Sequence, residues 1–187
     1  MDLLNHLAES FDLPILDWIS QNLQCAFLDG AMPWITVLGN GGIFWIAAAL
    51  ILLCIPKYRK AGLSMGIALL MGFLLCNLTL KPWIGRIRPY AYVWEQYGRN
   101  IPLLIFPPRD PSFPSGHTVA SFEAAFALLS NHKKLGVPAV ILACLISFSR
   151  LYLYVHYPTD VLFSILLGII LAYLGNFLAS KCLRTKP

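Results

Sequence analysis

Three short stretches hold the side chains that could do chemistry: Lys81 with Arg88-Pro89 in KPWIGRIRP, then Pro114-Ser115-Gly116-His117, then Ser149-Arg150 followed by His156 and Asp160 in SRLYLYVHYPTD. Together they supply three cations, two imidazoles, a carboxylate and a Ser-Gly turn. Lysine and arginine can neutralise the non-bridging oxygens of a phosphate, the guanidinium through two parallel hydrogen bonds. Removing charge from those oxygens is the usual electrostatic route to phosphoryl transfer. Ser115 stands just before the apolar run Thr118 to Leu129, which makes it a natural helix N-cap, and the free N–H groups of a first helical turn form an anion seat. Gly116 lets the backbone approach a phosphate oxygen that a side chain would obstruct.

His156 and Asp160 lie four residues apart. If a helix begins near Pro158, the carboxylate can hold the imidazole Nδ1–H and leave Nε2 to attack phosphorus. A second titrating group must then protonate the departing oxygen, and His117 fills that place. The expected course is a phosphohistidine at His156, opened by a water that His117 activates. No metal or cofactor is called for, because the cations are built in, and no CxxC spacing or Cys/His cluster marks a metal site. His6 and His132 read as polar ends of apolar segments, and Arg99 and Arg109 as headgroup anchors.

The elements that must position these groups lie in lipid. With 58% hydrophobic and 12% charged residues and a mean hydropathy of +0.67, the chain has more apolar side chain than a soluble domain of its size can cover. Runs long enough to cross a hydrocarbon core of about 30 Å occur near 35–55, 61–80, 117–132, 136–154 and 160–179. The fold expected is all-α, a polytopic transmembrane helix bundle of five clear spans plus an N-terminal interfacial helix, with six spans as the alternative. Glu123 sits in the short third run, about 9 Å of helix rise below His117. An ionisable group at that depth serves function or is hydrogen-bonded within the bundle, and it is kept out of the catalytic set. Cys54, Cys76 and Cys144 fall within spans as ordinary packing residues. The 81–116 connection, rich in Pro, Arg and Tyr, is long enough to be functional.

Residues 1–32 differ. Phe11, Ile15, Trp18, Ile19, Leu23 and Phe27 recur at helical spacing while Asp12, Asp17, Gln21 and Gln24 fill the other face, and Asp12 before Pro14 reads as a helix start. This suits an amphipathic segment in the interface, with the transmembrane domain at 33–187. Having no Lys or Arg, the segment does not resemble a cleaved signal. Lys57, Arg59, Lys60, Lys133, Lys134, Lys181, Arg184 and Lys186 fall on one side if the spans alternate, and all three motifs on the other. The positive-inside rule then turns the chemistry away from the cytoplasm, in a multi-pass protein of the cell membrane. The net charge of +5 is a topology signal and a phosphate site, with no basic stripe for nucleic acid.

Lys81 with six residues before Arg88-Pro89, then Pro114-Ser115-Gly116-His117, then Ser149-Arg150 with His156 and Asp160, resembles the full signature of the type 2 phosphatidic acid phosphatase superfamily. Leu28-Asp29 and Ile35-Thr36-Val37-Leu38-Gly39 are similar to the opening of small bacterial members, so the resemblance covers about residues 28–179. It implies a transmembrane helix bundle with metal-independent phosphatase activity. It also implies that Lys81, Arg88, Ser115, Gly116 and Arg150 bind phosphate, and that His156, His117 and Asp160 are nucleophile, general acid and orienting carboxylate. A site at span ends suits an amphiphile whose tail stays in lipid. Resemblance suggests undecaprenyl diphosphate, with phosphatidylglycerol phosphate and phosphatidate as competitors. A lipid phosphotransferase would share every catalytic residue, and a non-enzymatic anion-binding protein would not require the His156/Asp160 pair.

Overall fold

A backbone in lipid must satisfy its own hydrogen bonds, and this chain does so with ten α-helices and no strand among the described residues. The structure, a computed structural model, describes residues 2–184. α1 (Asp2–Leu7), a π-helical stretch Ala8–Asp12 and α2 (Leu13–Asn22) follow one another without a break. α3 (Ala26–Val37) leads through the 3-10 turn Asn40–Gly42 into α4 (Ile43–Cys54). α5 (Arg59–Gly72) continues through a π-helical stretch Phe73–Leu80 into α6 (Lys81–Ile84), and α7 (Pro89–Tyr97) follows a turn. α8 (Gly116–Asn131), α9 (Lys133–Tyr152) and α10 (Pro158–Arg184) complete the bundle.

Three helical segments among the described residues are long and apolar enough to cross a membrane, and the pair α3–α4 makes a fourth if its 44° bend is counted within one span. The unbroken span expected over 35–55 is therefore interrupted. Gly41 and Gly42 have φ of 57° and 66°, backbone that side chains other than glycine rarely adopt, and the turn they make separates α3 from α4. The expected third span is helical, but its 16 residues give only about 24 Å of length. It can be short because α5, α9 and α10 pack around it.

Small residues dominate those contacts. Ala124, Ala125 and Ala127 of α8 meet Ala61 and Met65 of α5, Ala139 and Ala143 of α9, and Ala172 of α10, the close approach that drives helix association when both solvent and side chains are apolar. Outward faces carry exposed Ile51, Ile141 and Leu166, and Trp34, Trp83, Trp94 and Phe106 are exposed toward the end that holds the motifs. Such a ring of aromatic side chains suits the membrane interface.

The N-terminal segment departs from its expected pattern. No helix starts at Asp12, whose backbone is αR within a running helix. The packed face is Ala8, Asp12, Leu13, Leu16 and Ile19, while Phe11 and Trp18 are exposed. The reason is that this helix packs against protein, the α7 region and the Tyr152–Tyr157 turn, as well as facing the interface. The boundary expected at 32/33 falls inside α3. Cys76 is buried, whereas Cys54 and Cys144 are exposed. Arg99 does not act as a free headgroup anchor: it pairs with Asp17 at 2.7 Å and with the Tyr154 hydroxyl at 3.1 Å. Lys186, counted above among the cations of one side, lies outside the described residues.

Candidate active site

Helix direction gathers the motifs. α6 ends, α8 begins, α9 ends and α10 begins at the same end of the bundle, so residues far apart in sequence line one cavity of about 1030 Å³: Lys81, Arg88, Gly116, His117, Arg150 and His156 all face it. Ser115 and Asp160 stand behind that lining. Ser115 is buried as the N-cap of α8, its Oγ accepting from the Thr118 N–H at 3.4 Å and the Thr118 hydroxyl at 3.0 Å, and its own N–H donates to Ser164 Oγ at 2.8 Å. The helix start read from the sequence is thus in place, while the hydroxyl is committed to the cap.

Arg88 organises the centre. Its Nε donates to the Asp110 carbonyl at 2.7 Å, Nη2 to Asp110 Oδ1 at 2.8 Å, and Nη1 to the Val155 carbonyl at 2.7 Å. Nη1 also lies 3.2 Å from His156 Nε2. A guanidinium only donates, so in this contact Nε2 accepts from Arg88 and the ring proton lies on Nδ1. Nδ1 is 3.5 Å from Asp160 Oδ2, an ion-pair separation longer than a hydrogen bond. His156 is 1% exposed. Burial, with the charges of Arg88, Arg150 and Lys81, pushes its imidazole well below the ordinary range, against a smaller opposing pull from Asp110. The ring is therefore neutral near pH 7, as a nucleophile must be.

Three residues that the motif reading missed surround this centre. Asp110 pairs with Lys81 through Oδ2 as well as with Arg88. Burial tends to raise its carboxyl, but the hydrogen bonds and charges of Lys81 and Arg88 prevail and hold it well below the usual carboxylate range. Thr36 of α3 accepts from Arg150 Nη1 at 2.5 Å. Asn40, in the turn between α3 and α4, places Oδ1 2.9 Å from His117 Nε2. Gly39 beside it leaves room for the ring: a Cβ there would meet His117 Cδ2 at 2.6 Å and Ile146 Cγ2 at 2.9 Å and displace one or both. The interrupted span thus presses directly on the second histidine.

Behind His156, Asp160 is sealed from solvent. Its Oδ2 accepts from the Ser112 hydroxyl and from the Tyr157 N–H at 3.1 Å, and its Oδ1 from Arg86 Nη1 at 2.5 Å. Arg86 had a visible signal, lying two residues before Arg88 in the same motif. Among the described residues no group of three His, Cys, Asp or Glu is placed to hold a metal.

A family model described as the PAP2 superfamily matches residues 57–182, most of the chain and every motif above. The chain belongs to the PAP2 superfamily. As a PAP2 protein it is a multi-pass membrane phosphatase that hydrolyses phosphoric esters or diphosphates of lipids. It is 32% identical over 166 residues to an undecaprenyl-diphosphatase of Sulfolobus acidocaldarius, covering 88% of this chain and 77% of that protein. It is 34% identical over 152 residues to the undecaprenyl-diphosphatase BcrC of Bacillus subtilis, covering 79% and 72%. The crystal structure of a transmembrane PAP2 type phosphatidylglycerolphosphate phosphatase from Bacillus subtilis superposes with a TM-score of 0.73 at 27% identity, covering 96% of this chain and 89% of that one. The PAP2 match begins after Asp12, Thr36 and Asn40, so these three residues lie outside it.

Proposed function

We propose that this PAP2 phosphatase releases inorganic phosphate from undecaprenyl diphosphate, leaving undecaprenyl phosphate, on the extracytoplasmic side of the cell membrane. One observation carries the reading: a seat of Lys81, Arg88 and Arg150 around the buried, neutral His156 opens into an apolar groove. Ile46, Ala49, Leu50 and Leu53 of α4 and Gly66, Leu69 and Leu70 of α5, with Phe73 just after it, line that groove, each set at helical spacing. A tail can lie in the groove while its phosphate reaches the cations. The two undecaprenyl-diphosphatases above support the choice of lipid. Sidedness is supported by Lys57, Arg59, Lys60, Lys133 and Lys134, which sit at the helix ends opposite the site.

In this mechanism His156 Nε2 forms a bond to the outer phosphorus while the bridging P–O bond breaks. The electron pair leaves with the lipid monophosphate, and His117 gives its proton to the departing oxygen. Lys81, Arg88 and Arg150 hold the non-bridging oxygens, joined by the N–H groups at the start of α8. Asp160 stabilises the positive ring that results. Water, deprotonated by His117, then attacks phosphorus, and the N–P bond breaks to free inorganic phosphate and His156.

A second reading, phosphatidylglycerol phosphate or phosphatidate as substrate, is favoured by Glu123. Its buried carboxyl lines the otherwise apolar groove with Oε2 unpartnered among the described residues. With its proton on Oε2 the carboxyl can donate to an ester carbonyl of a glycerolipid, and an isoprenoid tail offers no acceptor. Phosphate release by the purified protein from a panel of isoprenoid diphosphates and glycerophospholipid phosphates, with chelator present and no acceptor lipid, tests the proposal. The highest kcat/KM for undecaprenyl diphosphate supports it. Preference for the glycerolipids selects the second reading, and release only after an acceptor lipid is added would make the protein a phosphotransferase.

A further inference from the structure

The N-terminal helix grips the segment that carries His156 at two points. Asp12 is fully buried; its Oδ1 accepts from the Thr159 backbone N–H at 2.8 Å, and its Oδ2 from the Thr159 hydroxyl at 2.7 Å and Arg86 Nη2 at 2.8 Å. Arg86 Nη1 reaches Asp160 Oδ1 at 2.5 Å and Thr159 Oγ1 at 2.8 Å, and the guanidinium lies 3.8 Å from the centre of the Tyr157 ring. Farther along the same helix, Asp17 accepts from the Tyr154 hydroxyl at 2.8 Å and from Arg99. Tyr154 is held at φ 58°, a backbone conformation that a tyrosine rarely adopts. Residues 154–159, with His156 among them, are therefore clamped between two aspartates of a helix outside the PAP2 match.

Arg86 is the only guanidinium these two sealed carboxylates share in the contacts above. Arg86 pairs with both, so its charge is divided between them, and Asp160 keeps net negative charge to offer the imidazole. Were Asp12 uncharged, Arg86 would spend its charge on Asp160 alone, and the positive ring formed when Nε2 bonds phosphorus would lose part of its stabilisation. We propose that Asp12 is a positioning residue for phosphoryl transfer, acting through Arg86 and Thr159 to aim the Asp160 carboxylate at His156 and to preserve its charge. The inference rests on the phosphohistidine reading above.

The test is phosphate release from undecaprenyl diphosphate in detergent, followed across the acid limb of kcat/KM, for the wild type, Asp12→Asn, Thr159→Val and His156→Ala, with thermal unfolding of each. His156 is faced by Arg88, Lys81, Asp110, Arg150, His117 and Asp160, none of which these Asp12 and Thr159 variants alter, and ionisation of the substrate is common to all. Asp12→Asn is expected to lower kcat about tenfold with KM within about twofold. Less negative field at His156 disfavours the imidazolium, so the acid limb moves to lower pH, by about half a unit. An Asp12→Asn protein with the wild-type profile overturns the inference, as does a loss of activity with an unmoved limb, the mark of a merely structural role. If Asp12→Asn does not fold, Thr159→Val decides: a limb displaced the same way supports the role, and one that coincides with wild type overturns it. Full turnover by His156→Ala defeats the phosphohistidine reading itself, and no turnover by the wild type defeats the choice of undecaprenyl diphosphate. An inactive His156→Ala beside an unchanged Asp12→Asn defeats only the role of Asp12.

Discussion

In the proposed mechanism His156 is prepared for attack by what surrounds it more than by the residue that follows it four places later. Burial and three cations disfavour its charged form, so protonation, which removes the nucleophile, is deferred to lower pH. The acid limb of kcat/KM is therefore expected below the ordinary imidazole value of about 6.5, and a limb above that value would contradict the assignment. Asp110 makes a second residue-scale prediction. Its carboxylate occupies Lys81 and Arg88, the cations a phosphate would use, so Asp110→Asn should strengthen competitive inhibition by inorganic phosphate; weaker inhibition would show that Asp110 supports the seat instead. At Gly116 a Cβ would sit 3.4 Å from Asn77 Oδ1 and 3.7 Å from Lys81 Nζ, ordinary contacts that leave folding intact. Gly116→Ala should keep its unfolding temperature yet raise KM about tenfold, the signature of lost binding. Side chains whose chemistry announces itself at fixed spacing, such as Lys81, His117 and Arg150, were legible in the sequence. Asp110, Asn40 and Asp12 were not, because an acid or amide in an irregular or amphipathic stretch is indistinguishable from a solvated one until a partner distant in sequence lies beside it.

At the scale of elements, hydropathy marked where helices run but not how they cross. The runs near 136–154 and 160–179 correspond to α9 and α10. The 35–55 run hid a bend, since the short polar turn barely lowers the average of a long apolar window. The α8 run was too short for a span because its length is matched to neighbours and not to lipid. Crossing points depend on glycines that a hydropathy window treats as neutral. At Gly62 of α5 a Cβ would lie 2.6 Å from the Ala49 carbonyl oxygen and 2.6 Å from the Leu53 nitrogen of α4. Both are backbone atoms and cannot swing aside. Gly62→Ala must separate α4 from α5, and overpacking of this kind costs about 1–3 kcal/mol. A clear fall in unfolding temperature in detergent is expected, and an unchanged one would mean that the two helices can slide apart freely.

Across the whole molecule the phosphate seat and the apolar groove are parts of one cavity, yet they are built from different helices. Lys81 of α6, the start of α8, Arg150 of α9 and the connecting residues Arg88 and His156 supply the charged end, and α4 and α5 supply the walls of the groove. Changes in the groove should therefore act on the tail and leave the chemistry standing. Gly66 offers the cleanest place to separate the two: it lines the groove, and nothing lies within 4 Å of where its Cβ would be. Leucine there gains helix propensity of somewhat under 1 kcal/mol over glycine and projects its side chain into the path of a tail. Gly66→Leu should fold at least as well as wild type. Its kcat/KM for a long-chain isoprenoid diphosphate should fall at least tenfold relative to that for a short-chain one, because only the long tail must pass α5. Equal losses for both chain lengths would mean that the groove shapes the phosphate seat, and no loss for either would mean that the tail lies elsewhere in the bilayer.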